Sequence, residues 1–114
     1  MAGFYSITCD QGATLDVLLT YLDSDGAAVN LTGYTARMQV RTEVTAATAT
    51  LTLTTENGRI ALGGAAGTVA LTVPAIDTAA VAAREYVYDL ELVNGATVTR
   101  IIEGAFTVRA EVTR

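Results

Sequence analysis

Strict alternation of apolar and polar side chains, interrupted at short intervals by turn dipeptides, is the feature that most constrains the fold of this chain. In residues 34–41 the apolar positions are Tyr34, Ala36, Met38 and Val40. The turn signals Asp25-Gly26 and Thr32-Gly33 precede this segment. Because successive side chains of a β-strand point to opposite faces, a period of two predicts strands with one buried face that are joined by tight turns.

The same alternation recurs along the chain and predicts about seven to nine short strands, as in a sandwich or small barrel. The predicted strands cover residues 5–9, 14–22, 34–41, 48–54, 59–62, 68–73, 85–93 and 97–108. Pro74 cannot continue a central strand, and the alanine-rich residues after it predict a short helix that crosses between two sheets. Its apolar positions at helical spacing are Ile76, Ala79, Ala80 and Ala83.

The phase of the last strand stays open at the level of sequence. Asn94-Gly95 predicts a two-residue hairpin that leads into this strand. Three of its apolar residues share their parity with the charged Arg100, namely Val98, Ile102 and Phe106. Gly104 is a candidate for a bulge that would shift the register.

Size, charge and cysteine content limit the classes of protein to which the chain can belong. Its 114 residues predict a single domain, residues 1–114, whose core carries the stability, because the single cysteine cannot form an internal disulfide. The net charge of −5 disfavours binding to nucleic acid, which needs clustered cations. No signal peptide or long apolar run is recognisable, so synthesis in a cytoplasm and no membrane partner are expected.

Few residue types that carry catalysis are present. The chain has no histidine and no lysine, and its only side-chain nucleophiles of the usual kind besides threonine are Ser6, Ser24 and Cys9. Asp89 and Glu91 share a strand face and form a possible carboxylate pair, but a solvated outer face that discourages edge aggregation is the favoured explanation. The Asp-Ser-Asp-Gly run at residues 23–26 lacks the later ligands of a calcium loop. We therefore expect neither an enzyme nor a bound cofactor or metal.

The first candidate docking surface is a strand face that carries arginine. All seven basic residues of the chain are arginines, a residue type that is enriched in protein interfaces. Arg37, Gln39 and Arg41 project from one face of the predicted strand 34–41, where they could anchor an acidic or carbonyl-rich partner. The alternative is a solvated face in which these arginines pair with carboxylates of a neighbouring strand, for which the candidates are Glu85, Asp89 and Glu91.

The second candidate surface is a strand without charge. Residues 45–55 contain no charged side chain, and one face of the predicted strand 48–54 carries Thr48, Thr50, Thr52 and Thr54. At a sheet edge, such a strand would invite pairing with another chain, either by strand addition or as a subunit contact. The alternative is an internal strand whose outer face is polar.

An ordered set of motifs resembles small bacteriophage and prophage virion proteins akin to the N-terminal domain of baseplate upper proteins. The set comprises Gln-Gly-Ala-Thr at residues 11–14, Asp25-Gly26, Leu-Thr-Gly-Tyr-Thr-Ala-Arg-Met-Gln at residues 31–39, and Tyr-Asp-Leu-Glu-Leu at residues 88–92. These motifs extend over nearly the whole length, and they are followed by Val-Thr-Arg-Ile-Ile-Glu-Gly at residues 98–104.

The resemblance implies an immunoglobulin-like β-sandwich. Together with the residue pattern, the predicted fold is all-β, an immunoglobulin-like antiparallel β-sandwich with one short helix after Pro74. It also implies a non-enzymatic structural or adaptor protein of the virion, associated with the tail or baseplate and bound to other virion proteins in several symmetric copies. Two alternatives stay open, decoration of the capsid or tail tube, and a carbohydrate-binding module used in host adsorption.

Overall fold

The computed structural model describes residues 3–113, which contain nine β-strands and one α-helix. The strands are β1 (Gly3–Phe4), β2 (Ile7–Asp10), β3 (Leu15–Thr20), β4 (Thr35–Arg41), β5 (Leu51–Thr54), β6 (Ile60–Leu62), β7 (Thr68–Val73), β8 (Glu85–Asn94) and β9 (Thr97–Arg109), and the helix is α1 (Ala75–Ala79). A single 3-10 turn, Gly64–Ala66, connects β6 to β7.

The strands form two sheets with one core between them. The larger sheet has the order β1-β9-β8-β4-β5, and β2 also pairs with β9; the smaller sheet has the order β3-β7-β6. The predicted immunoglobulin-like sandwich with a short helix after Pro74 is confirmed. One pairing differs from the fully antiparallel prediction, since β1 and β2 run parallel to β9. Residues 3–10 and their partners in β9 are far apart in the sequence, so no tight turn forces these strands to be antiparallel.

The core contains the inward faces that the alternation predicted for the central strands. In β8 these residues are Tyr86, Tyr88, Leu90 and Leu92, and all are buried. The rings of Tyr88 and Phe106 meet edge to face with their centroids 6.3 Å apart. Such aromatic pairs add stability beyond the burial of their area.

The helix is where predicted, but its buried side is not the predicted one. Ile76 is 81% exposed, whereas Thr78 is completely buried. The Thr78 hydroxyl lies 2.8 Å from the Ala13 carbonyl oxygen and 3.1 Å from the Gly12 amide nitrogen. This short helix therefore docks through a hydrogen-bonding side chain, which apolar periodicity could not reveal.

The phase of β9 is decided by a bulge at Ile101. Leu90 pairs with Ile102 and the next residue of β8, Glu91, pairs with Arg100, so Ile101 has no direct partner. Because the extra residue reverses the alternation, Ile102 packs on the core and Arg100 lies on the outer face. The bulge does not lie at the candidate position Gly104. At Gly104 the backbone of Tyr5 instead passes so close to the strand that a β-carbon would overlap with it.

The last hairpin turns one residue later than predicted. Asn94 and Thr97 form the final pair, so the two loop residues are Gly95 and Ala96 rather than Asn94 and Gly95. Gly95 has a φ of 60°, while Ala96 is not in the positive-φ region. A glycine at the first loop position alone is the pattern of a type II′ turn.

Candidate docking face and sheet edges

Five of the seven predicted interface residues lie together on the outer face of the larger sheet. We call this set the arginine face: Arg37, Gln39, Arg41, Thr52 and Thr54. The register pairs Arg37 with Thr54 and Gln39 with Thr52. On the other side of β4, the same two residues face Glu91 and Asp89 of β8. A shallow groove of about 380 Å³ is lined by these side chains of β4, β5 and β8.

Thr48 and Thr50 do not belong to this sheet. The predicted strand 48–54 begins only at Leu51, and residues 42–50 form a loop that leads into it. The Thr50 amide still donates to the Val40 carbonyl at 2.7 Å, so the chain joins β4 just before the strand begins. Glu43 and Ala46 close a turn inside this loop, which removes Thr48 from the extended segment.

Paired charges surround the arginine face. Arg37 Nε lies 2.8 Å from Glu91 Oε1, which matches the solvated-pair alternative for this arginine. Arg100 of β9 lies 3.3 Å from Asp89 and 3.8 Å from Glu103. Exposed ion pairs of this kind add little stability because water screens them.

Arg41 is held differently, since its partners are neutral. Its guanidinium donates to Gln39 Oε1 at 2.7 Å and to the Ala46 carbonyl at 2.9 Å. Within residues 3–113 it forms no ion pair with a carboxylate. The side chain thus fixes the loop of residues 42–50 and keeps its charge available to a partner.

Asp89 is the acidic centre of this surface. Burial raises the pKa of its carboxyl above the ordinary value, and the charges of Glu91 and Glu103 add to the rise, whereas Arg100 and Arg41 oppose it. The folded state therefore holds the Asp89 proton more tightly than the unfolded chain does. The stabilising contribution of this group is complete below the unfolded pKa and is lost as the pH rises through the folded pKa.

We expect the substitution Asp89→Asn to become more favourable as pH rises. Relative to the parent chain, the variant should gain stability between about pH 3 and about pH 7, because it removes a charge that burial disfavours. Urea denaturation at both pH values measures the change. Asp10→Asn is the control of opposite sign, since a hydrogen bond from Arg109 lowers the pKa of Asp10. A loss for Asp89→Asn at neutral pH would mean that the Arg100 ion pair outweighs burial.

Beside the arginine face lies a second open depression of about 480 Å³. Its apolar rim includes Phe4 and Val44, which are 84% and 83% exposed. Polar side chains of the same depression include Arg41, Asp89 and Glu103. Sequence reasoning missed Phe4 and Val44, because both lie outside any run of alternating residues and only the packing of β1 and the loop brings them together.

Of the two alternatives for the threonine strand, the structure places β5 at an edge of the larger sheet, but its outer side is already occupied. The Thr55 amide donates a hydrogen bond to the Ala36 carbonyl of β4. Because the backbone groups of successive residues in a strand point to opposite sides, the amides and carbonyls of Thr52 and Thr54 point away from β4. Asn57 Nδ2 donates to the Thr52 carbonyl, and Asn57 Oδ1 accepts from the Thr54 amide, both at 3.0 Å. The amide side chain thus occupies the place of a neighbouring strand and opposes strand addition at β5.

Replacing Asn57 with alanine should open this edge. We expect a loss of about 1 kcal/mol in unfolding free energy, from exposed hydrogen bonds, together with increased self-association. Chemical denaturation and light scattering at increasing protein concentration measure both effects. Asn94→Ala is the matched control, since the Asn94 side chain forms no hydrogen bond within the described part of the chain. Unchanged scattering for Asn57→Ala would show that Asn57 does not protect the edge.

The described residues contain no group of three or more potential metal-ligating side chains. Cys9 is buried. Burial raises the pKa of its thiol, and the nearby Asp10 charge adds a smaller rise, so the reactive thiolate is disfavoured.

Among residues 3–113, no helix has the length and apolar character needed to cross a membrane.

Comparisons with protein families and with curated proteins give no match for this sequence. A search of solved structures finds similarity to the endo-β-1,4-mannanase from Thermotoga petrophila, with a TM-score of 0.53 and 14% sequence identity. The alignment covers 97% of this chain and 18% of the enzyme's chain. This chain therefore corresponds to a small part of that protein, and at this identity the similarity establishes the fold alone.

Proposed function

We propose that this chain is a non-enzymatic structural or adaptor module of a bacteriophage particle, associated with the tail or baseplate. The observation that carries the proposal is the convergence of Arg37, Gln39, Arg41, Thr52 and Thr54 on one open sheet face. Planar guanidinium and amide groups beside hydroxyls suit hydrogen bonding to a protein partner. The motif resemblance supplies the kind of particle, and its partners would be other virion proteins.

The geometry of the arginine face favours docking through side chains rather than through strand addition at β5. Asn57 already bonds the outward backbone groups of Thr52 and Thr54, so a partner would meet their side chains instead. Arg41 offers a charge without a carboxylate partner among the described residues, next to the exposed Val44. An acidic or carbonyl-rich partner surface with a small apolar patch fits this arrangement.

Mass spectrometry of purified particles tests the proposal, because an adaptor must co-purify with the virion. Incorporation of Arg41→Ala should fall below that of the parent chain, and the melting temperature should change little at this surface position. Arg109→Ala is the control, since Arg109 is an exposed arginine of β9, near the opposite end of the same sheet, where it pairs with Asp10 of the edge strand β2. Absence of the chain from the particle would contradict the proposal, as would equal losses for both variants.

A second candidate function is carbohydrate binding during host adsorption, and the exposed Phe4 ring favours it. Sugar rings stack on exposed aromatic faces, and Asp89, Glu103 and Arg41 place hydrogen-bonding groups in the same depression. Tyr86 and Tyr88, by contrast, are committed to the core. Binding on a glycan array that Phe4→Ala abolishes and Val112→Ala leaves intact would favour this function over the adaptor role.

A further inference from the structure

We infer that β3 is a self-pairing edge, through which two copies of this chain join their smaller sheets into one continuous sheet. β3 pairs with β7 on one side only. The Tyr21 amide donates to the Gly67 carbonyl at the end of this ladder. The backbone groups of Tyr21 and of the odd-numbered residues of β3 therefore point toward β7. The even-numbered residues Asp16, Leu18 and Thr20 direct their amides and carbonyls to the opposite side, away from β7. Within residues 3–113 these groups have no neighbouring strand.

The other three edges of the described sheets are each interrupted. Asn57 occupies the outer side of β5, and β6 has only three residues. The edge formed by β1 and β2 breaks at residues 5–6. β3 has six residues in continuous register and contains no proline, glycine or bulge. Proteins usually protect an open, regular edge, so an edge left in this form indicates a pairing partner.

The outer face immediately beside Leu18 carries only small apolar side chains, which leaves room for a close neighbour. Leu18 is 70% exposed and lies opposite Ala70 of β7, which in turn lies opposite Ala61 of β6. No large side chain of these pairs covers Leu18. A second Leu18 across a new strand pair would bury the exposed leucine side chain of each copy.

Charge and register identify the partner strand as a second copy of β3. A two-fold axis at Leu18 pairs Leu18 with its equivalent, and Asp16 with Thr20 of the other copy. All three outward residues then exchange two hydrogen bonds each with an opposite residue. The aspartates avoid each other, and each carboxylate meets a threonine instead.

The neighbouring registers are poorer. An axis at Val17 pairs Asp16 with Leu18 and carries Thr20 opposite Thr14, which lies outside the strand. An axis at Leu19 carries Asp16 opposite Leu22, which likewise lies outside the strand. Only the axis at Leu18 uses the whole edge. The contact is small, so we expect a weak dimer that forms at high local concentration, as in a symmetric array.

Analytical ultracentrifugation of the full chain, from about 10 µM to about 1 mM, tests the pairing. The average mass should rise toward that of a dimer for the parent chain. It should stay monomeric for Leu18→Lys, which places two like charges across the axis, and for Leu18→Pro, which removes an outward amide without breaking the β3–β7 ladder. Ile76→Lys, an exposed apolar position on α1, should dimerise like the parent. Circular dichroism verifies folding of each variant.

Oxidative cross-linking tests the register separately. The α-carbons of residue 18 and its equivalent would lie about 5.5 Å apart, within the range of a disulfide. Residue 20 and its equivalent would be separated by about 13 Å along the strands, beyond that range. Leu18→Cys should therefore cross-link rapidly and Thr20→Cys slowly. A chain that stays monomeric at all concentrations, or equal cross-linking of both variants, overturns the inference. Either result leaves the adaptor proposal standing, because the arginine face lies on the other sheet.

Discussion

Replacing Thr78 with valine is expected to lower the free energy of unfolding by about 3 kcal/mol. The shape of the side chain is kept, so the loss comes from hydrogen bonding. The hydroxyl of this fully buried residue accepts from the Gly12 amide and donates to the Ala13 carbonyl, with the Ala75 carbonyl as an alternative acceptor. Valine leaves the Gly12 amide and the Ala13 carbonyl, which both meet this fully buried side chain, without their hydroxyl partner.

Chemical denaturation measures this loss, and two variants bracket it. Thr78→Ser keeps the hydroxyl and should lose only about 1 kcal/mol, from the missing methyl group. Thr72→Val, at an exposed threonine of β7, should change stability by less than about 0.5 kcal/mol. A Thr78→Val variant as stable as Thr78→Ser would show that the connection between α1 and the turn before β3 does not depend on the hydroxyl.

Replacing Gly104 with alanine is expected to cost about 2–3 kcal/mol and to detach the first strand. An added β-carbon would lie 2.5 Å from the Tyr5 carbonyl oxygen and 3.1 Å from the Tyr5 carbonyl carbon. Both are backbone atoms, so no side-chain rotation relieves the overlap. Tyr5 is held there because its amide donates to the Glu103 carbonyl and its carbonyl accepts from the Tyr88 hydroxyl.

Hydrogen exchange distinguishes a local detachment from general destabilisation. In Gly104→Ala the Tyr5 amide should lose protection, while amides of the β4–β8 ladder should be affected only through the change in global stability. Gly3→Ala is the matched control, because the nearest atoms to its added β-carbon lie 3.8 Å away, an ordinary contact distance. Equal behaviour of the two variants would contradict the crowding at Gly104.

The Tyr88 hydroxyl that bonds to the Tyr5 carbonyl also makes the stability of the fold depend on pH in the alkaline range. Burial, and to a lesser extent the proximity of Tyr5, raises the pKa of Tyr88 to about 12. Because the unfolded phenol ionises near its ordinary value of about 10, the contribution of this group is complete below that pH and is lost as the pH rises through the folded pKa. The hydroxyl that holds Tyr5 therefore stays protonated in the native state at neutral pH.

The candidate site was accessible from sequence to the extent that it lies on one strand. Arg37, Gln39 and Arg41 share a face because alternate residues of any strand do. The position of Thr52 and Thr54 beside them depends on how β5 pairs with β4 after the loop of residues 42–50. The alternation of apolar and polar residues carries no information about that pairing. The sequence segment 48–54 has perfect alternation, yet its first part forms a loop, because backbone hydrogen bonds with β4 begin in regular register only at Leu51.

Local pattern alone therefore determined which residues of each regular strand face the core, where the turns fall to within a residue or two, and that the fold is all-β, either a sandwich or a small barrel. These properties follow from the pleat, the turn dihedrals and the burial of one apolar face, which are all set by near neighbours. The tertiary structure decided which strands are edges, where β9 changes phase and what Gly104 accommodates. Asn57 occupies one edge and β3 leaves another open, since edge exposure depends on contacts between segments far apart in the chain.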